Sequence, residues 1–229
     1  MNTPPLKVLS SMATRELLQA LLAQYQRMHA VHVIAEADGG VNVLARVRSG
    51  EFMDIVVLAQ GSIDDLIAEG RLIRETAAEV VRSGVAVAVP AGASHPDISS
   101  AQALRQAILA APSIGYSTGP SGKHLERLFA QWGILDTLRE RITIAPAGVP
   151  VASLLCNGSI QLGFQQLSEM LGSKGVSVVG PLPREVQSMT TFTGAVSVTS
   201  RHPDAAAAVL EFLALPAHAE TRVRLGMEA

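Results

Sequence analysis

Short apolar runs alternate along this chain with longer segments in which apolar positions return every three or four residues. Such a run between turn signals predicts a strand, and the 3.6-residue period predicts an amphipathic helix. Leu6 to Leu9 reads as a strand. Thr14 to Arg27 reads as a helix with Leu17, Leu18, Leu21, Leu22 and Tyr25 on one face. Val31 to Ala35 predicts a strand, and Val41 to Ser49 a short helix ended by Gly50. Asp54 to Leu58 is a strand of the fully buried type. Ser62 is read as the cap of a helix through Ala68, which Gly70 closes. Val80 to Val89 predicts a long strand with Gly84 inside it, and a helix opens at Ser99 or Ser100 and ends near Ala111-Pro112. Ser113 to Tyr116 is a strand and Ser121 to Trp132 a helix. Ile142 to Ala145, Ile160 to Gly163 and Val176 to Val179 are further strands with helices between them. Met189 to Ser200 alternates over a long strand, and Pro203 to Leu213 and a segment from Pro216 are helical.

This order of elements predicts an α/β protein with mostly parallel sheets and helices on both faces. The two long strands exceed the usual ~5–6 residues. They read as crossovers, each leaving one small sheet and entering another. The chain is then expected to form two lobes, residues 1–82 with 190–229 and residues 83–189, with a cleft between them. In open parallel sheets the ligand lies beyond the carboxyl ends of the strands.

Composition narrows the function. With 229 residues, 48% hydrophobic, the chain is long enough for a sizeable core. A net charge of -2 and 3% aromatic residues offer neither a basic footprint nor stacking platforms for nucleic acid. The single cysteine, Cys156, excludes an internal disulfide and a cysteine-based metal cluster, and it reads as a small buried residue. The opening M-N-T-P-P-L-K-V-L-S-S-M has no signal-peptide pattern, and no stretch approaches the ~20 apolar residues of a membrane span. The chain as written is therefore expected to be cytoplasmic and not inserted in a membrane, or periplasmic if a signal has been removed.

Four loops follow predicted strand ends and precede helices: Ser10-Ser11-Met12-Ala13-Thr14, Asp38-Gly39-Gly40, Ala59-Gln60-Gly61-Ser62, and Ser117-Thr118-Gly119-Pro120-Ser121-Gly122. All are rich in small residues, and hydroxyls recur. A helix N-terminus offers unpaired N–H groups and about half a positive charge, so these loops suit a small anion. The last of them is not a nucleotide P-loop. Ser117 stands where that motif needs its first glycine, and His124 where it needs Ser or Thr after the lysine.

Several stretches carry a resemblance. "LKVLSSMATRELLQALLAQYQ" from Leu6, "MDIVVLAQGSIDDLI" from Met53, "GPSGKHLERLFAQWGI" from Gly119 and "VASLLCNGSIQLGFQQLSEM" from Val151 resemble, in order, the periplasmic molybdate-binding proteins of ABC transporters. "KGVSVVGPLP" matches in character. The resemblance implies the two-lobed type II periplasmic-binding-protein fold with a hinge of two crossing strands. It also implies an oxyanion held by hydroxyls, backbone N–H groups and a tyrosine.

Carried over, the family's first serine falls near Ala13, flanked by Ser11 and Thr14, and its second at Gly39–Gly40. The position after the third strand is Ala59. The second-lobe helix starts fall at Ser121–Gly122, preceded by Thr118, and at Val149. The tyrosine position is Gln166. Three of the family's ligand side chains are thus replaced, so the scaffold is kept while the specificity differs. Arg15, Arg82 and Lys123 are candidates to meet a carboxylate, since arginine suits bidentate carboxylate contacts. Some relatives of the molybdate-binding proteins are isomerases of tricarboxylates such as aconitate, and this chain resembles that branch in lacking the molybdate side chains. A proton shift needs a base, for which His124, Glu169 and Asp38 are the candidates. No nucleophile motif is present, and His29 and His32 straddle a helix end rather than pair as metal ligands. The expectation is a binder of a small oxyanion or polycarboxylate without a cofactor. Its partner is a membrane permease if it is exported; the alternative is an isomerase.

Overall fold

A computed structural model describes residues 4–229, so the first three residues of the opening stretch lie outside it. The chain divides into two compact units, Met1–Arg82 with Thr191–Ala229, and Ser83–Thr190. In chain order the elements of unit 1 are β1 (Leu6–Ser11), α1 (Arg15–Met28), β2 (Val33–Asp38), α2 (Gly40–Arg48), β3 (Ile55–Ala59) and α3 (Gln60–Ala68). The long strand β4 (Ala78–Pro90) carries the chain into unit 2, which holds α4 (Ala101–Ala110), β5 (Ile114–Ser117), α5 (Pro120–Gln131), α6 (Leu135–Leu138), β6 (Ile142–Ala145), α7 (Val151–Cys156), β7 (Leu162–Gln166), α8 (Leu167–Met170) and β8 (Val176–Pro181). Strand β9 (Met189–Val196) returns to unit 1, followed by α9 (Pro203–Ala214) and α10 (Ala219–Arg224).

In unit 1, β1 pairs in parallel with β2 and β3, and β9 runs antiparallel to β3. In unit 2, β5 pairs in parallel with β6 and β7, while β4 runs antiparallel to β7 and β8. The sheets are therefore mixed. The antiparallel pairs all involve the two long strands, and the rest are parallel. The apolar run of β3 shows why a buried strand loses its alternation. Ile55 and Val57 enter one core with Leu17, Leu18 and Leu21 of α1, and Val56 and Leu58 enter a second core with Val43, Ile63 and Leu66. Both faces are covered, so every position is apolar.

Strand β4 serves both units: Val80 and Val81 belong to a unit 1 core, and Val85, Val87 and Val89 to a unit 2 core. Its opposite face in unit 2 is Ala86 and Ala88, packed with Val151 and Leu155 of α7. The same side chains crowd Gly163, where a Cβ would lie 2.8 Å from Leu155 Cδ1. Helix α7 rides this low on the sheet only because these residues are small.

Some boundaries differ from the sequence reading. Ser62 is not a cap: α3 begins two residues earlier, at Gln60, with Ala59 in the capping position. The strand expected at Ile160 to Gly163 is Leu162–Gln166, since Gln165 and Gln166 are buried in the sheet despite their polarity. The strand expected from Met189 to Ser200 stops at Val196, where a hydrogen-bonded turn over Ser197 to Ser200 ends it. Cys156 is exposed rather than buried, with its thiol donating to the Lys174 carbonyl at 2.9 Å.

In unit 2, burial and the neighbouring Glu126 carboxylate, which accepts its O–H, push the Tyr116 phenol up to about 12. The folded state then holds a proton that the unfolded chain releases near pH ~10. Stability from this group is complete below pH ~10 and is lost as pH rises toward 12. Urea melts at stepped alkaline pH are expected to show this loss, and Tyr116→Phe is expected to remove it.

Candidate functional site

Parallel pairing brings the carboxyl ends of β1, β2 and β3 to one edge of the unit 1 sheet, with Ser11 opposite Asp38 and Ser10 opposite Val57. Beyond that edge lie the starts of α1, α2 and α3. The hydroxyls there are turned inward. Ser11 Oγ accepts the Ala13 N–H at 3.2 Å, and Thr14 Oγ1 donates to the Ser11 carbonyl at 3.1 Å. Ser11, Ala13 and Thr14 are all buried. They shape a 3-10 turn, Met12–Thr14, that Ser11 caps and that runs directly into α1, with the Arg15 N–H donating to the Met12 carbonyl. Arg15 points to solvent and pairs with its neighbour Glu16 at 3.0 Å.

The start of α2 is already met by a carboxylate. Asp38 Oδ1 accepts the Gly39 N–H at 2.6 Å and the Asn42 side-chain amide at 2.9 Å. Gly39 and Gly40 thus lead into a helix that the chain itself supplies with negative charge. The start of α3 is different: Ala59 caps nothing, and Gln60 and Gly61 behind it are exposed.

In unit 2, β5, β6 and β7 again run in parallel, with Ser117 opposite Ala145 and Tyr116 opposite Phe164. The start of α5 follows Ser117. Gly119 is its N-cap and Pro120 its first residue, so no side chain caps it. Ser117 Oγ accepts the Gly119 N–H at 3.3 Å and lies 3.4 Å from Ser121 Oγ. Ser121 is buried and Thr118 exposed. Gly122 is set against the strand: a Cβ there would lie 1.7 Å from the Ser117 carbonyl oxygen. The glycine lets α5 touch β5. By contrast α4, whose N-terminus follows no sheet strand end of this edge, has an ordinary cap in Ser100, whose Oγ accepts the Ala103 N–H.

The start of α7 is not open. The Val149 N–H donates to Pro146 in a turn, and the Val151 N–H donates to Gln165 Oε1 at 2.8 Å. Gln165 Nε2 in turn donates to Glu169 at 2.6 Å. Val149 therefore offers no N–H to a ligand, and Glu169 backs a structural amide. Gln166 is also engaged. Carbonyls only accept, so its amide NH2 faces Ser83 O at 3.0 Å and Gly84 O at 3.3 Å, and its oxygen accepts from Thr190 Oγ1 at 2.9 Å. His124 donates from Nε2 to the Val186 carbonyl at 2.8 Å, and Lys123 is exposed. In unit 1, Arg82 pairs with Glu228 at 3.0 Å.

The uncapped starts of α3 and α5 are what remains open: helix ends that favour negative charge, whereas α1 continues a 3-10 turn over Met12–Thr14 that Ser11 caps and in which the Arg15 N–H donates to the Met12 carbonyl. Of the residues expected to face a ligand, Val149 and Gln166 are spent on protein groups, and Arg82 and Arg15 on ion pairs. Gln60, Gly61 and Ser117, members of two of the four loops the sequence marked for an anion, lie at the open starts. Among the described residues no group of three or more His, Cys, Asp or Glu could hold a metal ion, and no helix is long and apolar enough to cross a membrane.

The family model of bacterial extracellular solute-binding proteins matches residues 6–228. An aconitate isomerase from a Pseudomonas species is 36% identical over 170 residues, 74% of this chain and 64% of that protein, so the chain spans less than two thirds of its length. Among solved structures, the Azotobacter vinelandii periplasmic molybdate-binding protein superposes with a TM-score of 0.79 at 18% identity, over 98% of this chain and 99% of that one. The sulfate-binding protein SubI of Mycobacterium tuberculosis gives 0.75 at 17% identity, over 98% and 86%. At these identities the structures establish the fold, that of the periplasmic binding proteins.

Proposed function

Since the chain belongs to the bacterial extracellular solute-binding protein family, we propose that it binds a small anion, and within that class a polycarboxylate, at the strand-end loops of its two units. The observation that carries the reading is the pair of helix starts, α3 in unit 1 and α5 in unit 2, left without a side-chain cap beside small residues at strand ends. Structural neighbours named for molybdate and sulfate support the anion. The polycarboxylate is favoured because Ala13, Gly39 and the clasped Gln166 supply no side-chain donor for a tetrahedral oxyanion, and because the 36% identical relative is named for aconitate. If the protein is exported, the partner that receives the anion is a membrane permease.

A thermal-shift panel tests this. Citrate, cis-aconitate or trans-aconitate at ~100 times its dissociation constant adds about 2.7 kcal/mol. For a chain of this size that raises the melting temperature by roughly 5–10 °C. Molybdate, tungstate, sulfate and phosphate are expected to leave it unchanged. A shift with the oxyanions alone defeats the polycarboxylate, and no shift with any anion defeats the whole reading.

The same relative favours a second reading, an isomerase that moves a proton on a tricarboxylate. Of the three candidate bases, His124 and Glu169 are hydrogen-bonded to protein groups in unit 2, and Asp38 accepts the Gly39 N–H and the Asn42 side-chain amide beside the start of α2 in unit 1. Proton NMR of cis-aconitate with the protein in D2O decides: trans product carrying deuterium establishes the enzyme, and an unchanged spectrum leaves a binder.

A further inference from the structure

Strand β4 enters unit 2 at Ser83, and its first residues there are held by two glutamine side chains. Gln166, 2% exposed, gives its NH2 to the carbonyls of Ser83 and Gly84 and takes the Thr190 hydroxyl on its oxygen. Gln187 makes the pair of bonds that a neighbouring strand would make. The Val85 N–H donates to Gln187 Oε1 at 3.0 Å, and Gln187 Nε2 donates to the Val85 carbonyl at 3.0 Å. Gly84 allows the approach: a Cβ there would lie 3.0 Å from Met189 Sδ and 3.2 Å from Gln187 Nε2. Ser83 and Thr190 are the first and last residues of unit 2. Both places where the chain passes between units are therefore fastened to side-chain amides as well as to a sheet ladder.

The distinction has a physical consequence. Ladder bonds are fixed by strand register, and loosening them shears the sheet. A glutamine amide sits on rotatable side-chain torsions and can release and re-form one bond at a time. A buried amide or carbonyl left unpaired is costly, so the fastening is kept in the resting structure. We propose that Gln166 and Gln187 are positioning residues that fix the two chain passages and thereby set anion affinity without touching the anion. The proposal rests on the anion-binding reading above. It also gives Gln166 a different role from the tyrosine of the resembled proteins.

The test uses the full chain with citrate as probe and three variants: Gln166→Glu, Gln187→Met and the double. Gln166→Glu keeps the shape but turns acceptor oxygens toward two carbonyls. Gln187→Met keeps the bulk and removes both bonds. Amide hydrogen exchange and calorimetric affinity are measured together. Each single variant is expected to speed exchange at Val85 at least about tenfold and to weaken citrate about tenfold, equivalent to 1.4 kcal/mol. Exchange at Val87 and Phe164 is expected to stay unchanged, and the double variant to lose less than the sum of the singles. The proposal is overturned if Val85 exchange rises with affinity intact, or if Gln166→Glu alone weakens citrate, which makes Gln166 a ligand contact. It also fails if all unit 2 amides speed up together in every variant, a merely structural role. A wild type that binds no anion removes the link to affinity together with the anion-binding reading. That case is recognised by Val85 still responding to the variants.

Discussion

Replacing Ala59 with aspartate is expected to make the protein more stable and nearly abolish anion binding. Ala59 occupies the N-cap of α3 and makes no capping bond. An aspartate there accepts one of the free N–H groups and adds negative charge at a helix start, stabilising by about 1 kcal/mol. For a chain of this size that is roughly 2–4 °C in melting temperature. The same carboxylate occupies the donors that the proposed ligand uses and repels it. Two unit charges ~4 Å apart at an effective dielectric of 20 interact by about 4 kcal/mol. Even after solvent relaxation a loss of affinity of about 100-fold or more is expected. Paired thermal melts and citrate titrations measure both signs at once. A stabilised variant with intact affinity would show that α3 does not meet the ligand.

The second large effect is on folding. Gly122→Ala is expected to destabilise unit 2 by more than about 4 kcal/mol, at the far end of single-substitution effects. The added Cβ would lie 1.7 Å from the Ser117 carbonyl oxygen, with the Ser117 carbonyl carbon and Tyr116 Cδ2 both at 3.0 Å. The closest obstacle is backbone, so a rotamer change cannot relieve it. Helix α5 has to lift off β5, which opens the core built on Leu125 and Phe129. Gly61→Ala is the matched control, because nothing lies within 4 Å of its Cβ. Within α3 it is expected to gain about 0.5–1 kcal/mol. Denaturant melts followed by circular dichroism compare the two, and equal stability would refute the packing account.

Much of the fold was legible along the chain because it depends on local pattern. The run Ile-Val-Val-Leu predicts a strand covered on both faces, and the Leu17, Leu18, Leu21, Leu22 and Tyr25 stripe predicts the buried side of α1. The helix starts beside glycines and small residues were legible too, for the same reason. Boundaries went astray where burial overrode polarity, as at Gln165 and Gln166, which the sheet encloses.

The site was less legible. Ser11, Thr14, Gln166, Val149 and His124 all carry groups that can serve a ligand, and their sequence context says nothing about whether those groups are free. Hydrogen-bonding capacity saturates, and only the folded chain decides who fills it. His124 is claimed by Val186, 62 residues away, and Val85 by Gln187, 102 residues away. By itself the sequence determined the alternation of strands and helices, the apolar faces and the small-residue helix starts, because each follows from spacing over a few residues. Tertiary structure alone decided the donors whose competing partner is distant in the chain, as for His124 and Val85, because only long-range packing brings such partners in.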